Sequence, residues 1–359
     1  MLIPLIFGEN ILLLLDQDPE VASLASHFIN TMLPGMYLMG QLDLMRKWLI
    51  CMRKPFMPMV TSLGGVFVYI PLAYLFVITA GMGIGGFGLA TAITGLIQVI
   101  FLQTVICRDQ EITDGVFWPR RDSFSGWYEY LSVALPATVM ICAEWWYFEI
   151  LLIFAGAMGV AQLDTQAIIF NIVNVLFSLI IGMQAAMGIL TGNSMGSNNV
   201  SLAQRLFKVT SPVAAGCLAV SIIIVMSLRY QIAGLFSEDD EVIQMTAKVL
   251  LIQQIFAIFD GMQGFMAGPI RGLGKQDTAS YSSFFAFYAV GVPLAYLLGF
   301  TFDLDVFGLQ YAAGAAVIVQ AIIYFYILAR WTDLQKVSDD ARDRISREAE
   351  RLQGPSDRV

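Results

Sequence analysis

The chain is short of charge. Of its 359 residues only 13% are Asp, Glu, Lys or Arg, against about a quarter in soluble globular chains. Histidine is nearly absent, with His27 alone, and the four cysteines (Cys51, Cys107, Cys142, Cys217) stand far apart. There is thus no CxxC pair, no zinc ligand set and no disulfide framework, and no cofactor is implied. A basic surplus is missing too. The net charge of −8 argues against nucleic acid as a partner, because phosphate needs a basic face. What remains is apolar: 57% hydrophobic residues and a mean hydropathy of +0.71. Disorder is excluded, and a polytopic protein of the lipid bilayer is implied.

A helix needs about 20 apolar residues to cross about 30 Å of hydrocarbon. Such runs predict nine spans, near 23–48, 57–80, 84–107, 127–155, 162–192, 205–228, 242–269, 277–300 and 306–331. Met1 to Leu15 is apolar but reaches only about 22 Å, half a helix, and has no signal-peptide flanks. Basic residues alternate with the spans: Arg46, Lys47, Arg53 and Lys54, then Arg108, Arg120 and Arg121, then Arg205 and Lys208, then Arg271 and Lys275. The opposite loops carry Asp16, Asp18, Glu20, Asp164, Glu238 to Glu241, Asp303 and Asp305, with Arg229 as their one basic residue. The positive-inside rule then puts the basic loops and the C-terminus in the cytoplasm. The glycosylation sequon Asn199-Val200-Ser201 falls on that cytoplasmic side and is discounted.

The chain repeats itself. Glu20 recurs as Glu241, Gln41 as Gln263, Pro71-Leu72-Ala73-Tyr74-Leu75 as Pro293-Leu294-Ala295-Tyr296-Leu297 and Gln98 as Gln320, at offsets of 221, 222, 222 and 222. Four collinear matches at one offset predict two copies of one unit in the same orientation. The second copy, about 127–331, holds six spans, and the first lacks the counterparts of roughly 127–222. The expected fold is therefore all-α and polytopic. It has two pseudo-symmetric six-helix bundles, the first lacking about two and a half helices, which leaves nine full spans plus a half-helix. In domain terms, 1–107 is an incomplete N-terminal lobe, 108–126 a cytoplasmic linker and 127–331 the C-terminal lobe. Residues 332–359 form a cytoplasmic tail whose Leu334, Val337, Ala341, Ile345, Ala349 and Leu352 make an amphipathic helix. The chain reads as the N-terminally shortened form of a twelve-span protein, an incomplete gene model or a short isoform. Two same-sense repeats imply a cleft between rocking halves, as in secondary transporters.

A charge at mid-bilayer costs roughly 2.5–3.5 kcal/mol on insertion scales, so each one needs a reason. Glu144 and Glu149 lie in one span, in the run Cys142-Ala143-Glu144-Trp145-Trp146-Tyr147-Phe148-Glu149, and Asp260 lies in another. Five residues of helix turn about 500°, so the two glutamates sit about 140° apart and cannot both face one cavity. The functional reading is a site where a proton and an organic cation compete for one acid, with Trp145 and Trp146 holding the cation on their π-faces. The plainer reading is that these acids satisfy buried hydroxyls or cap an unwound turn. Asn171 and Asn174 share a face, for which an interhelical hydrogen bond is the simpler account; Asp260 and Gln263 share another. Gly81-Met82-Gly83-Ile84-Gly85-Gly86 resembles a dinucleotide loop but lies between two membrane helices with no βαβ unit. Gly274-Lys275 fails as a phosphate loop, because Pro269 and Gln276 stand where glycine and Ser/Thr are needed. Without a nucleotide site, transport would be driven by an ion gradient.

At these residues the sequence resembles the multidrug and toxic compound extrusion (MATE) family, in its eukaryotic branch. The matching segments are Gln17-Asp18-Pro19-Glu20-Val21, Cys142 to Glu149, Gly192-Asn193-Ser194-Met195-Gly196, and Phe259-Asp260-Gly261 through Arg271-Gly272-Leu273-Gly274. The resemblance implies a twelve-helix antiporter, a transporter and not an enzyme, that exports organic cations or metabolites against protons (sodium in some members). It also implies that Glu144 and Asp260 line a cavity of the C-terminal lobe and couple to protons, with Glu149 contributing in some members. The chain departs from certain animal relatives in carrying Asn171 for a glutamate, and from a common pattern in carrying Leu190 for an arginine. The alternatives weighed are an inactive or regulatory fragment of such a transporter and a lipid-linked glycan flippase of the same superfamily. The flippase would want a more basic cavity. The membrane of residence is expected to be plasma or vacuolar-type.

Overall fold

A computed structural model describes residues 9, 10, 13, 19–109, 111 and 126–329. Most of the expected half-helix, most of the linker and the whole amphipathic tail lie outside the described residues. Within them the fold is all-helical. We number the helices α1 Pro19–Cys51, α2 Phe56–Thr79, α3 Ile84–Arg108, α4 Trp127–Met158, α5 Val160–Gly196, α6 Val200–Ala233, α7 Asp240–Gly272, α8 Gln276–Thr301 and α9 Asp305–Ala329. Among the described residues, the eight from α2 to α9 are long and apolar enough to cross a membrane. Helix α1, with 33 residues, has the length but carries Asp43, Arg46 and Lys47 along its second half.

The chain divides into two compact units, 1–124 and 125–359. In the first, α3 packs against both α1 and α2. In the second, α7 is the hub, packed against α5, α6 and α9. The surface inverts the soluble pattern: Phe67, Ile153 and Val175 are 78%, 69% and 72% exposed. Hydrocarbon is as apolar as these side chains, so burying them against protein would gain little, and the helices instead meet through small residues. Gly188 and Gly192 on α5 face Gly268 and Gly272 on α7, two glycine-xxx-glycine stretches in contact. A Cβ on Gly268 would lie 2.2 Å from the Gln184 carbonyl oxygen, and one on Gly272 2.4 Å from that of Gly188.

Each unit contains the same three-helix motif, and the 222-residue offset runs through it in atomic detail. The end of α2 widens into a π-helical stretch at Leu75–Thr79, and the end of α8 does so at Leu297–Thr301. The turn that follows places Gly81 and Gly83 at φ of 64° and 57°, and Asp303 and Asp305 at 50° and 56°. Glycine enters this left-handed region without strain, and aspartate is among the few side chains that tolerate it. A Cβ on Gly86 would lie 2.9 Å from the Phe76 carbonyl carbon, and one on Gly308 2.6 Å from that of Leu298. The glycine cluster at 81–86 is thus a tight turn followed by a close helix contact, which accounts for its resemblance to a nucleotide loop. Gln98 Nε2 donates to the Thr61 carbonyl at 2.8 Å, and Gln320 Nε2 to Ser283 Oγ at 3.0 Å. Beyond α1, Lys54 Nζ binds the Asp109 carboxylate and, at 2.8 Å, Glu111 Oε2. The hydrogen bond to Lys54 holds the Asp109 carboxyl below its ordinary range.

Candidate functional site

Four helices of the second unit enclose a partly open cleft with an empty volume of about 720 Å³. Helix α4 contributes Glu144, Trp145 and Phe148, and α7 contributes Asp260 seven residues beyond Gln253. Most of the wall is aromatic or aliphatic; Trp145 meets Phe170 of α5 edge to face at 6.2 Å between ring centroids. Gly314 on α9 makes room for Phe256, whose ring would lie 2.3 Å from a Cβ there. The described lining residues include no lysine, arginine or histidine.

The two acids meet at one amide. Gln263 Nε2 donates to Glu144 Oε1 at 2.7 Å and to Asp260 Oδ1 at 3.4 Å. Asp260 and Gln263 are 9% and 1% exposed, while Glu144 is partly open to the cleft. Asp260 and Gln263 come together because they are three apart on α7, one helix face; Glu144 arrives from α4, 119 residues earlier. Among the described residues the ion pairs involve Asp43, Lys47, Lys54, Asp109 and Glu111, so neither acid is neutralised by a salt bridge. Arg271 lies within electrostatic range of Glu144, but its Nε donates to the Ala267 carbonyl at 3.3 Å. Tyr324 shares that range and meets Ser283 Oγ at 3.3 Å. A buried polar layer therefore lies behind the acids.

The other residues singled out from sequence divide. Asn174 lines the cleft and Asn171 is exposed. Their amides do not bridge helices as expected: Asn174 Nδ2 donates to the Phe170 carbonyl and Asn171 Nδ2 to that of Ala167, each at 2.9 Å and each four residues back. An amide held by its own preceding turn is satisfied without a partner helix. Glu149 is exposed and off the cleft, as the rotation of about 140° from Glu144 requires. Trp146 is 60% exposed and faces outward. Three polar wall residues escaped the sequence reading: Gln166, Gln253 and Gln310. A glutamine in an apolar run is a weak signal, and the contact that distinguishes Gln166 and Gln310 joins residues 144 apart.

A long-helix membrane bundle with a repeated three-helix motif, and an acid pair on an aromatic cleft within one lobe, defines the class: a polytopic helical membrane protein built on an internal repeat. Comparison with known proteins narrows this. The MatE family profile matches residues 1–75 and 136–297, and the chain belongs to the MatE family. It is 28% identical over 346 residues to the multidrug and toxin extrusion protein 1 of Xenopus tropicalis, covering 96% of this chain and 60% of that one. It is 27% identical over 339 residues to protein DETOXIFICATION 17 of Arabidopsis thaliana, covering 94% and 71%. The fold is shared with the eukaryotic MATE transporter AtDTX14, at a TM-score of 0.90 and 23% identity over 96% of this chain and 77% of that one. It is shared too with the Vibrio cholerae MATE transporter VcmN, at 0.80 and 16% over 93% and 76%. The chain spans about 60% of the length of the Xenopus relative.

Proposed function

We propose that the protein is a secondary efflux transporter of the MATE type, exchanging protons for organic cations or other metabolites across the bilayer. The observation that carries this reading is the pair Glu144 and Asp260 around the single donor Gln263, on the wall of a cleft whose described residues offer no positive charge. Two carboxylates in a desolvated lobe cannot both stay ionised cheaply. A proton and a cationic cargo can therefore take turns at the same oxygens, and the cost of leaving them bare couples release of one to binding of the other. Gln263 follows either state, since its amide can donate to whichever carboxylate is charged. Trp145 supplies a π-face beside Glu144 for the cation, and Asn174 of α5 a further polar point on the wall. The basic loops and the C-terminus face the cytoplasm under this reading, in a plasma or vacuolar-type membrane, and sodium replaces the proton only if the acids prefer it. An acidic wall is poorly suited to the pyrophosphate of a lipid-linked glycan.

The test is an efflux assay in proteoliposomes carrying a fluorescent organic cation under an imposed pH difference, with a sodium gradient as control. Glu144→Gln and Asp260→Asn should each abolish pH-driven efflux while incorporation into the vesicles is unchanged. Undiminished efflux in both variants would overturn the assignment.

A further inference from the structure

The cleft carries two chemically different polar groups. One is the acid pair; the other is an amide pair, in which Gln310 Nε2 of α9 donates to Gln166 Oε1 of α5 at 2.8 Å. Both glutamines are on the cleft wall and are 5% and 2% exposed. A single bond between two amides uses one donor group and one acceptor, whichever way the amides are turned, and leaves one donor and one acceptor over. On α7, Gln254 Nε2 donates to Gln253 Oε1 at 2.6 Å, which uses the Gln253 oxygen and leaves the amide nitrogen of Gln253, a residue also on the wall, to donate. Three glutamines from three helices thus line one cleft: Gln166 and Gln310 near the starts of α5 and α9, and Gln253 partway along α7. Seven residues of α7 separate Gln253 from Asp260, a rise of about 10 Å. Most of the remaining wall is apolar, with Phe148, Phe170, Phe256, Ile169 and Val173 among it.

We infer that Gln166, Gln310 and Gln253 form a second recognition point that selects cations carrying a hydrogen-bonding group, such as a hydroxyl or carbonyl, about 10 Å from the positive charge. This rests on the reading of Glu144 and Asp260 as the cation site and goes beyond it. A buried hydrogen-bonding wall rejects ligands that leave it unpaired, so the amides discriminate by the tail of the ligand while the acids hold its head. If they served only to join α5 to α9, the identity of the tail would be irrelevant to them.

The experiment measures equilibrium binding of octyltrimethylammonium and its terminally hydroxylated analogue to the purified full chain, and follows the ratio of the two Kd values. Partition into detergent cancels when that ratio is compared between variants. In the double variant Gln166→Leu with Gln310→Leu, which strands no single buried amide, the ratio should shift about tenfold toward the alkyl probe. Gln253→Leu, which leaves the α5–α9 bond intact, should shift it the same way by about threefold. In Glu144→Gln with Asp260→Asn both probes should weaken together with the ratio unchanged. A ratio unmoved in both glutamine variants would overturn the amide proposal and leave the acid site standing. Binding indifferent to the acid variant, with a ratio that still moves, would overturn the cation site and keep the amides. Absence of binding of either probe to the unaltered chain would overturn both.

Discussion

Gln263 has one amide nitrogen and two carboxylates to serve, and that geometry separates residues that look equivalent in the sequence. Glu144 and Glu149 share one span and one local composition, yet the former reaches Gln263 at 2.7 Å while the latter is exposed. Glu149→Gln should therefore leave pH-driven efflux within about twofold of the unaltered chain, where Glu144→Gln removes it; five residues, about 1.4 turns of helix, turn the two side chains to different faces. Parallel flux measurements on the two variants decide the point, and equal loss in both would place the proton site elsewhere. The position of each acid within an apolar span was legible from hydropathy alone. Which acid points inward was not, because helix rotation is set by neighbours that the local sequence does not contain.

At the scale of elements, α5 and α7 approach so closely that carbonyl oxygens fill the space a methyl group would need. Gly268→Ala puts a Cβ 2.2 Å from the Gln184 carbonyl oxygen. Overpacking of this kind costs about 1–3 kcal/mol, so thermal unfolding in detergent should begin about 5 °C lower. Gly216→Ala in α6 has open space around the new atom and should lower the midpoint not at all, since alanine is the better helix former. A scan that showed equal losses would mean that the glycines act through backbone freedom and not through contact. The paired glycine-xxx-glycine stretches are visible in the sequence, but their facing one another, 80 residues apart, is not.

For the molecule as a whole, the alternation of basic and acidic loops predicts sidedness. Cys51 at the end of α1 and Cys107 near the end of α3 are exposed and outside any disulfide, and both helices end on the basic side. In sealed vesicles of known orientation, an impermeant maleimide should label both from the cytoplasmic face and neither from the other. Opposite labelling of the pair would break the helix count; labelling of both from outside would invert the topology. The repeat extends this reading across the chain, because the same π-helical stretch, left-handed turn and glycine contact recur 222 residues apart.

The number of long helices, the repeat, the charge alternation and the presence of acids within apolar runs were determined by sequence alone, because each depends on composition over a window or on spacing along one helix. Packing between helices decided the rest. It brought Glu144 to Asp260 through Gln263, turned Glu149 and Trp146 outward, tied Asn171 and Asn174 to their own backbone, and assembled Gln166, Gln253 and Gln310 into one polar wall. These are contacts between residues distant in the chain, and in an apolar helix with no strongly polar face nothing local fixes its rotation; only close packing against its neighbours does.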